Sequence, residues 1–238
     1  MANYSIFDEE DYPEHRPLPK LFSVKSAKGI DFLCREGTAD KGIVTSFMKA
    51  YDSFTSALGA EEVWLDVGAH IGTFAVTVAP HVKKVIAFEA CPETFEVLKK
   101  NTARFSNVEC VHAAVIGGTQ KSVHFAQSAG RTMGHLAKTS SRANIEIPAV
   151  CFSRLLNQPA CVKMDIEGGE KNILDNTPNW SNIQRFDLEF HSRALEDDEH
   201  NHQYAKKTLK KFYENFQKVT TDFDETKKRW EFHIYGEK

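Results

Sequence analysis

The 238-residue sequence has no cysteine motif: its five cysteines are an odd number with no CxxC pair. Cys34, Cys91, Cys110, Cys151 and Cys161 are scattered, a pattern that speaks against both a disulfide framework and a zinc site. Several lie in apolar, strand-like runs, where a thiol behaves as a small hydrophobe; a reducing compartment is the simplest reading. No apolar run is long enough to cross a bilayer. The opening residues, MANYSIFDEEDYPEHRPLPK, are acidic and contain proline, without the apolar core of a signal peptide. Neither sign of charge dominates, 30 Lys and Arg standing against 33 Asp and Glu, so no global field points to nucleic acid or to an acidic membrane. Internal repeats and low-complexity tracts are also missing. These absences set the expectation of a soluble, cytoplasmic protein with no membrane partner.

What is present is a chain of the right size for one α/β domain with an N-terminal extension. Such a chain can bury a two-sided sheet without disulfides or a structural metal. Residues 1–60 read as an arm, a small hairpin turning at Lys28-Gly29, and a helix from about Asp40 to Leu58 covering one edge of a cleft. Residues 61–238 read as the main domain. There, strands at Val63–Val67, Val82–Phe88 and Val108–Val115 alternate with helices from about Gly72 to Pro80 and from Pro92 past Leu98. The alternation predicts a mostly parallel sheet with helices on both faces. A glycine-rich stretch at about 117–146 interrupts it and reads as a flap, with Arg131 and His135 as substrate contacts or plain solvated residues. The rhythm resumes with a strand at Ala160–Asp165, a helix at Glu170–Asn176, a strand at Ile183–His191 and a helix near His200–Phe216. Two last strands, near Val219–Phe223 and Trp230–Tyr235, predict an antiparallel hairpin.

The first loop of the main domain carries the most information. In EEVWLDVGAHIGTFAV a strand ends at Asp66, a loop carries Gly68 and Gly72, and a helix begins. Glycines admit a ligand close to the backbone, and the crevice beyond the strand ends is where such sheets bind ligands. The spacing is G-x-x-x-G, not the G-x-G-x-x-G of dinucleotide binders, which disfavours a nicotinamide oxidoreductase. Asp66 suits the cationic end of an amino-acid cofactor, with a helix-capping role as the plainer alternative. Glu89 ends the next strand, where an acidic side chain bridges ribose hydroxyls. That pairing points to S-adenosylmethionine. His112, Ala113 and Ala114 at the third strand's tip lie where an adenine would sit, although His112 reads equally well as a satisfied edge residue.

The segments LDVGAHIGTFAV, AFEACPETFEVLKKN, VHAAVIGG and above all VKMDIEGGE resemble the FkbM-type methyltransferases, which read DVGANxG, FEPxPxxxxxLxxN, NAA and KIDVEGxE in that order. The likeness runs from about Glu61 to His191. It implies a Rossmann-like class I methyltransferase fold with a seven-stranded sheet, S-adenosylmethionine as cofactor, and methylation of hydroxyls on sugars or natural products. The implied cofactor contacts are Asp66, Val67, Gly68, Ala69, His70, Gly72, Thr73, Glu89, Ala90, His112, Ala113, Ala114 and Asp165. His70 stands where the family usually has Asn, Ala90-Cys91 departs from its Pro-containing pattern, and His112 replaces Asn.

Catalytic candidates come from the next two strand tips. Alternation puts Lys163 and Asp165 on one face, and Asp187, Glu189 and His191 on one face of the neighbouring strand. Charges in buried parallel strands are costly without partners. Asp165, Glu167, Glu189 and His191 are therefore expected to converge on the transferred methyl, with Glu189 or His191 as base; an internal polar network is the plainer reading. No metal is assigned, a divalent ion on these oxygens and the imidazole being the less favoured alternative. Lys206, Lys207, Lys210 and Lys211, with Lys227, Lys228 and Arg229, read as solvated faces. A small-molecule or sugar acceptor is expected, with RNA ribose 2′-O-methylation as the runner-up and a non-catalytic cofactor-binding module as a further alternative.

Overall fold

In the computed structural model the described residues are 19–46, 55–127, 134–136, 144–191, 198–223 and 231–238. The N-terminal arm to residue 18, Arg131, the Lys227–Arg229 cluster and the middle of the expected Asp40–Leu58 helix lie outside them. The chain opens with an antiparallel hairpin, β1 (Leu21–Lys25) and β2 (Asp31–Arg35), turned at Gly29 with φ of 76°. Helix α1 (Asp40–Ser46) follows, and a single 3₁₀ turn spans Thr55–Ala57.

Strand β3 (Val63–Val67) then begins the main sheet, followed by α2 (Thr73–Val78), β4 (Lys84–Glu89), α3 (Pro92–Thr102) and β5 (Val108–His112). Helix α3 starts on a proline at its first turn, where the missing N–H costs nothing, and carries Lys99 and Lys100 in its last turn against the helix dipole. The expected third strand breaks at Ala113. Beyond it β6 (Ala114–Ile116) leaves for a second, four-stranded sheet with β7 (Ser122–Gln127), β8 (Gly134–Leu136) and β9 (Asn144–Cys151). The flap is thus a small sheet in the order β6-β9-β7-β8. A short α4 (Phe152–Leu155) leads back to β10 (Ala160–Met164), α5 (Glu170–Asn176), β11 (Ile183–His191), α6 (Asp198–Asn215), β12 (Lys218–Thr221) and β13 (Glu231–Glu237).

The main sheet has seven strands in the order β12-β13-β11-β10-β3-β4-β5. Five are parallel, and β13 runs antiparallel to both β11 and β12. Strand alternation sorts its side chains into two layers. Leu65, Val67, Ile86, Phe88, Val162 and Met164 pack with α5 and α6, whereas Trp64, Val85, Ala87 and Cys161 pack with α2 and α3. The hairpin joins through a third cluster in which Phe32, Cys34 and Val44 meet Ile71 and Val76.

Trp180 anchors the α6 side. Its ring meets Phe186 and Phe212 edge-on, each at 5.3 Å, and its Nε1 donates to the Thr177 carbonyl at 3.0 Å. It is 2% exposed. Trp180→Ala is expected to cost about 3–5 kcal/mol through cavity formation, read as a lowered urea midpoint with an unchanged m-value; a loss within ordinary surface scatter contradicts this packing.

Candidate active site

The parallel strands end together, and their tips place the acidic residues. Asp66, one residue from the end of β3, is fully buried. Its register partner on β10 is Lys163, whose Nζ lies 3.3 Å from Oδ1 and donates to the Gly68 carbonyl at 2.8 Å. Beyond the Lys163 ion pair, neither Asp66 oxygen is filled by a well-aligned hydrogen bond. Burial raises its pKa, and the Lys163 charge opposes the rise. A buried carboxylate with unfilled acceptor positions is costly, and it fits an ammonium group such as that of an amino-acid cofactor.

The following loop is drawn tightly against the sheet. Gly68 and Ala69 both donate to the Phe88 carbonyl, at 3.1 and 2.8 Å. Gly68 has φ of 85°, and a Cβ there would stand 1.8 Å from the Asp165 carbonyl oxygen. The close approach that this glycine permits is therefore to the chain itself. His70 follows in the left-handed region with φ of 51°. Its backbone N–H donates to Glu89 Oε2 at 2.9 Å, while Cys91 donates to Oε1 at 2.8 Å. Glu89 thus secures two turns, and each oxygen keeps a second lone pair. Burial raises its pKa against those two amides. Val67, Ala69, Thr73, Ala113 and Ala114 are all buried around the loop and the β5 tip. His112 is buried too, its Nε2 3.1 Å from the Ala90 carbonyl and its ring stacked on Phe95 at 4.9 Å; it packs as the satisfied residue of the plainer reading.

The second cluster lies beyond β10 and β11. Asp165, Glu167 and His191 bring one ligand atom each to within 4.8 Å of one another. His191 Nε2 is 3.8 Å from Glu167 and 3.7 Å from Glu189. Its Nδ1 is 3.1 Å from Glu170 Oε1. Glu170 is fully buried in the first turn of α5, and it also accepts from the backbone N–H groups of Ile166 and Gly168. Glu167, between them, has φ of 57°. Burial alone would depress the His191 pKa. The hydrogen bond to Glu170 and the charges of Glu170, Glu167 and Asp165 outweigh it and lift the imidazole to about 9.

All four expected catalytic residues thus meet at one place, and Asp165 joins them to the Asp66 loop through Lys163, 3.9 Å from its Oδ2. His135 lies in β8, but its side chain is outside the description. Sequence reasoning passed over Glu170, whose signal was an acid at the opening of a helix after Gly168-Gly169, and over Arg35, which no local pattern marks.

With the geometry in place, residues 66–222 match the family described as Methyltransferase FkbM domain, well over half of the chain. The chain belongs to that family. It is accordingly a methyltransferase that uses S-adenosylmethionine. Among solved structures, M. jannaschii TYW2 in complex with AdoMet superposes with a TM-score of 0.51 at 15% identity, covering 93% of this chain and 86% of that one. The M. jannaschii tRNA m1G37 methyltransferase gives 0.51 at 12% identity over 92% of this chain, which spans only 58% of that protein's length. At such identities the likeness is one of fold. No curated protein matches the chain. No helix among the described residues is long and apolar enough to cross a membrane.

Removing the cation beneath this FkbM loop tests its electrostatics. Lys163→Met leaves Asp66 buried without a countercharge and is expected to cost about 3–5 kcal/mol. Adding Asp66→Asn should return much of that loss in equilibrium denaturation, and additive losses would show that the two charges do not interact.

Proposed function

We propose that this FkbM-family protein methylates a hydroxyl oxygen on a sugar or natural-product-like small molecule, with His191 receiving the hydroxyl proton. The observation that carries this reading is the tie between Nδ1 of His191 and the buried Glu170. It leaves Nε2 on the side where Glu167 and Glu189 gather. We assign Asp66, Glu89 and the residues of the loop from Val67 to Thr73 to cofactor binding, with Ala90, the His112–Ala114 tip and Asp165 lining the same cleft.

When bound, S-adenosylmethionine supplies an electrophilic methyl carbon on a sulfonium. Transfer is an in-line displacement, so alignment is the main demand on the protein. A neutral alcohol is a weak nucleophile, and its oxygen becomes strongly acidic as the new C–O bond forms. His191 Nε2 would accept that proton, and Glu170 would stabilise the imidazolium that results. Asp165 and Glu167 accept hydrogen bonds from neighbouring hydroxyls, which suits a polyhydroxylated acceptor. Glu189, 3.7 Å from Nε2, is the second proton acceptor within reach.

The working form of His191 is the neutral one, and its pKa is lifted to about 9. Turnover should therefore rise about tenfold per pH unit below that value and level off above it. His191→Gln should lose about a hundredfold or more and flatten the profile. Glu170→Gln removes charge that raises the pKa, so its inflection should move to lower pH. Methyl-labelled S-adenosylmethionine offered with hydroxylated small molecules and, separately, with RNA tests the acceptor. Label in an ether on a small molecule supports the reading, whereas label only in RNA, or only on nitrogen, overturns it.

A further inference from the structure

The hairpin and α1 precede the FkbM match at 66–222, yet their side chains reach the loop after β3. Arg35 is 3% exposed and Asp40 fully buried. The guanidinium grips the carboxylate with two parallel hydrogen bonds, from Nε to Oδ2 and from Nη2 to Oδ1, both 2.9 Å. Its Nη1 donates to Thr94 Oγ1 at 2.6 Å, in the first turn of α3. Nη2 also lies 3.3 Å from His70 Nε2, and Asp40 Oδ1 is 3.4 Å from the same nitrogen. One arginine thus joins the hairpin, α3 and the loop.

A second tie runs beside it. Asn101 of α3 accepts from the Leu33 N–H at 2.7 Å and donates to the carbonyls of Leu33 and Ile71, at 3.1 and 2.8 Å. The residue held between these ties is His70, a non-glycine in the left-handed region. Such a conformation persists only where the surroundings enforce it. It matters because it turns the His70 N–H onto Glu89.

We infer that Arg35 and Asp40 are positioning residues for the cofactor, acting through His70 to hold the loop in its binding conformation. The inference rests on reading that loop as the cofactor loop. An arginine has no acceptor, so for Nη2 to donate here Nε2 must accept and the imidazole proton must lie on Nδ1, an atom with no hydrogen-bond partner in the structure; a proton on Nε2 would instead face Asp40 Oδ1 at 3.4 Å. Burial, with the Arg35 charge, outweighs Asp40 and lowers the His70 pKa to about 4, so the ring is neutral in ordinary buffers. A lysine at position 35 keeps the charge but lacks the fork that spans Asp40, Thr94 and His70. A glycine at position 70 adopts positive φ without enforcement.

The experiment measures S-adenosylhomocysteine binding by calorimetry to the wild type, Arg35→Lys, His70→Gly, the double variant and Asp66→Asn. Melting curves and imidazole 1H–15N spectra accompany each. Arg35→Lys is expected to weaken binding about tenfold, the scale of one charge-assisted hydrogen bond, and to lose the single Nδ1–H form of His70. In the His70→Gly background the same substitution should change affinity less than about twofold, because the element it acts through is gone. Wild-type affinity in Arg35→Lys, or an equal loss in both backgrounds, overturns the inference. Should Arg35→Lys fail to fold, the wild-type spectrum decides: a proton on Nε2 of His70 overturns it, and one on Nδ1 supports it. If the wild type does not bind, or Asp66→Asn binds unchanged, the cofactor-loop reading itself falls and takes this inference with it.

Discussion

Between Asp66 and Asp187, its register partners on either side, stands Lys163, its ammonium 3.3 Å from Asp66 Oδ1. Three charged residues in one row across the middle of a sheet would ordinarily be an expensive arrangement, because desolvation disfavours every charged form. Burial raises the pKa of both aspartates; Lys163 opposes the rise at Asp66, and His233 and then Lys163 oppose it at Asp187. The same ammonium donates to the Gly68 carbonyl. The charge that offsets the desolvation of Asp66 is therefore also a strut under the loop.

The tip of β10 is shared by the two halves of the site. Its residue Asp165 donates its backbone N–H to the Val67 carbonyl, while its own carbonyl presses against Gly68. Its side chain joins Glu167 and His191. The loop that reads as the cofactor's and the cluster proposed to handle protons are consequently fixed to each other through one residue. In a displacement reaction that depends on the line between leaving sulfur, methyl carbon and attacking oxygen, rigidity between those halves is the useful property.

Much of this was legible in the sequence because it depends on short-range pattern. The helix at Glu170–Asn176 and the strand at Ile183–His191 run as the pattern predicts, since an apolar run bounded by turn residues leaves few alternatives. Strand alternation also placed Lys163 with Asp165 and Glu189 with His191. The expected third strand ran too far because Ala114–Ile116 pairs with Ala149–Cys151, a partner distant in sequence that no local pattern reveals. Arg35 was illegible for the same reason: a charge in a hairpin reads as surface, and only the fold shows it buried against Asp40, Thr94 and His70. Glu170 was passed over because an acid opening a helix is unexceptional in sequence, and only the fold shows its carboxylate filled by two backbone amides and an imidazole.

The two loops solve one problem in one way. Among the described residues, non-glycine positive φ occurs at His70 and at Glu167, one in the loop after β3 and one in the loop after β10. In each case a carboxylate accepts from backbone N–H at the turn: Glu89 takes His70 of the loop after β3, along with Cys91 just beyond its own strand, and Glu170 takes Ile166 and Gly168. Amides turned inward in this manner form an anion-binding concavity, here filled by the protein's own side chains. Glu170 carries one further connection, to His191. Backbone strain at both loops is thus stabilised by carboxylates that belong to the proposed site, so a change to either acts on loop shape and local electrostatics together.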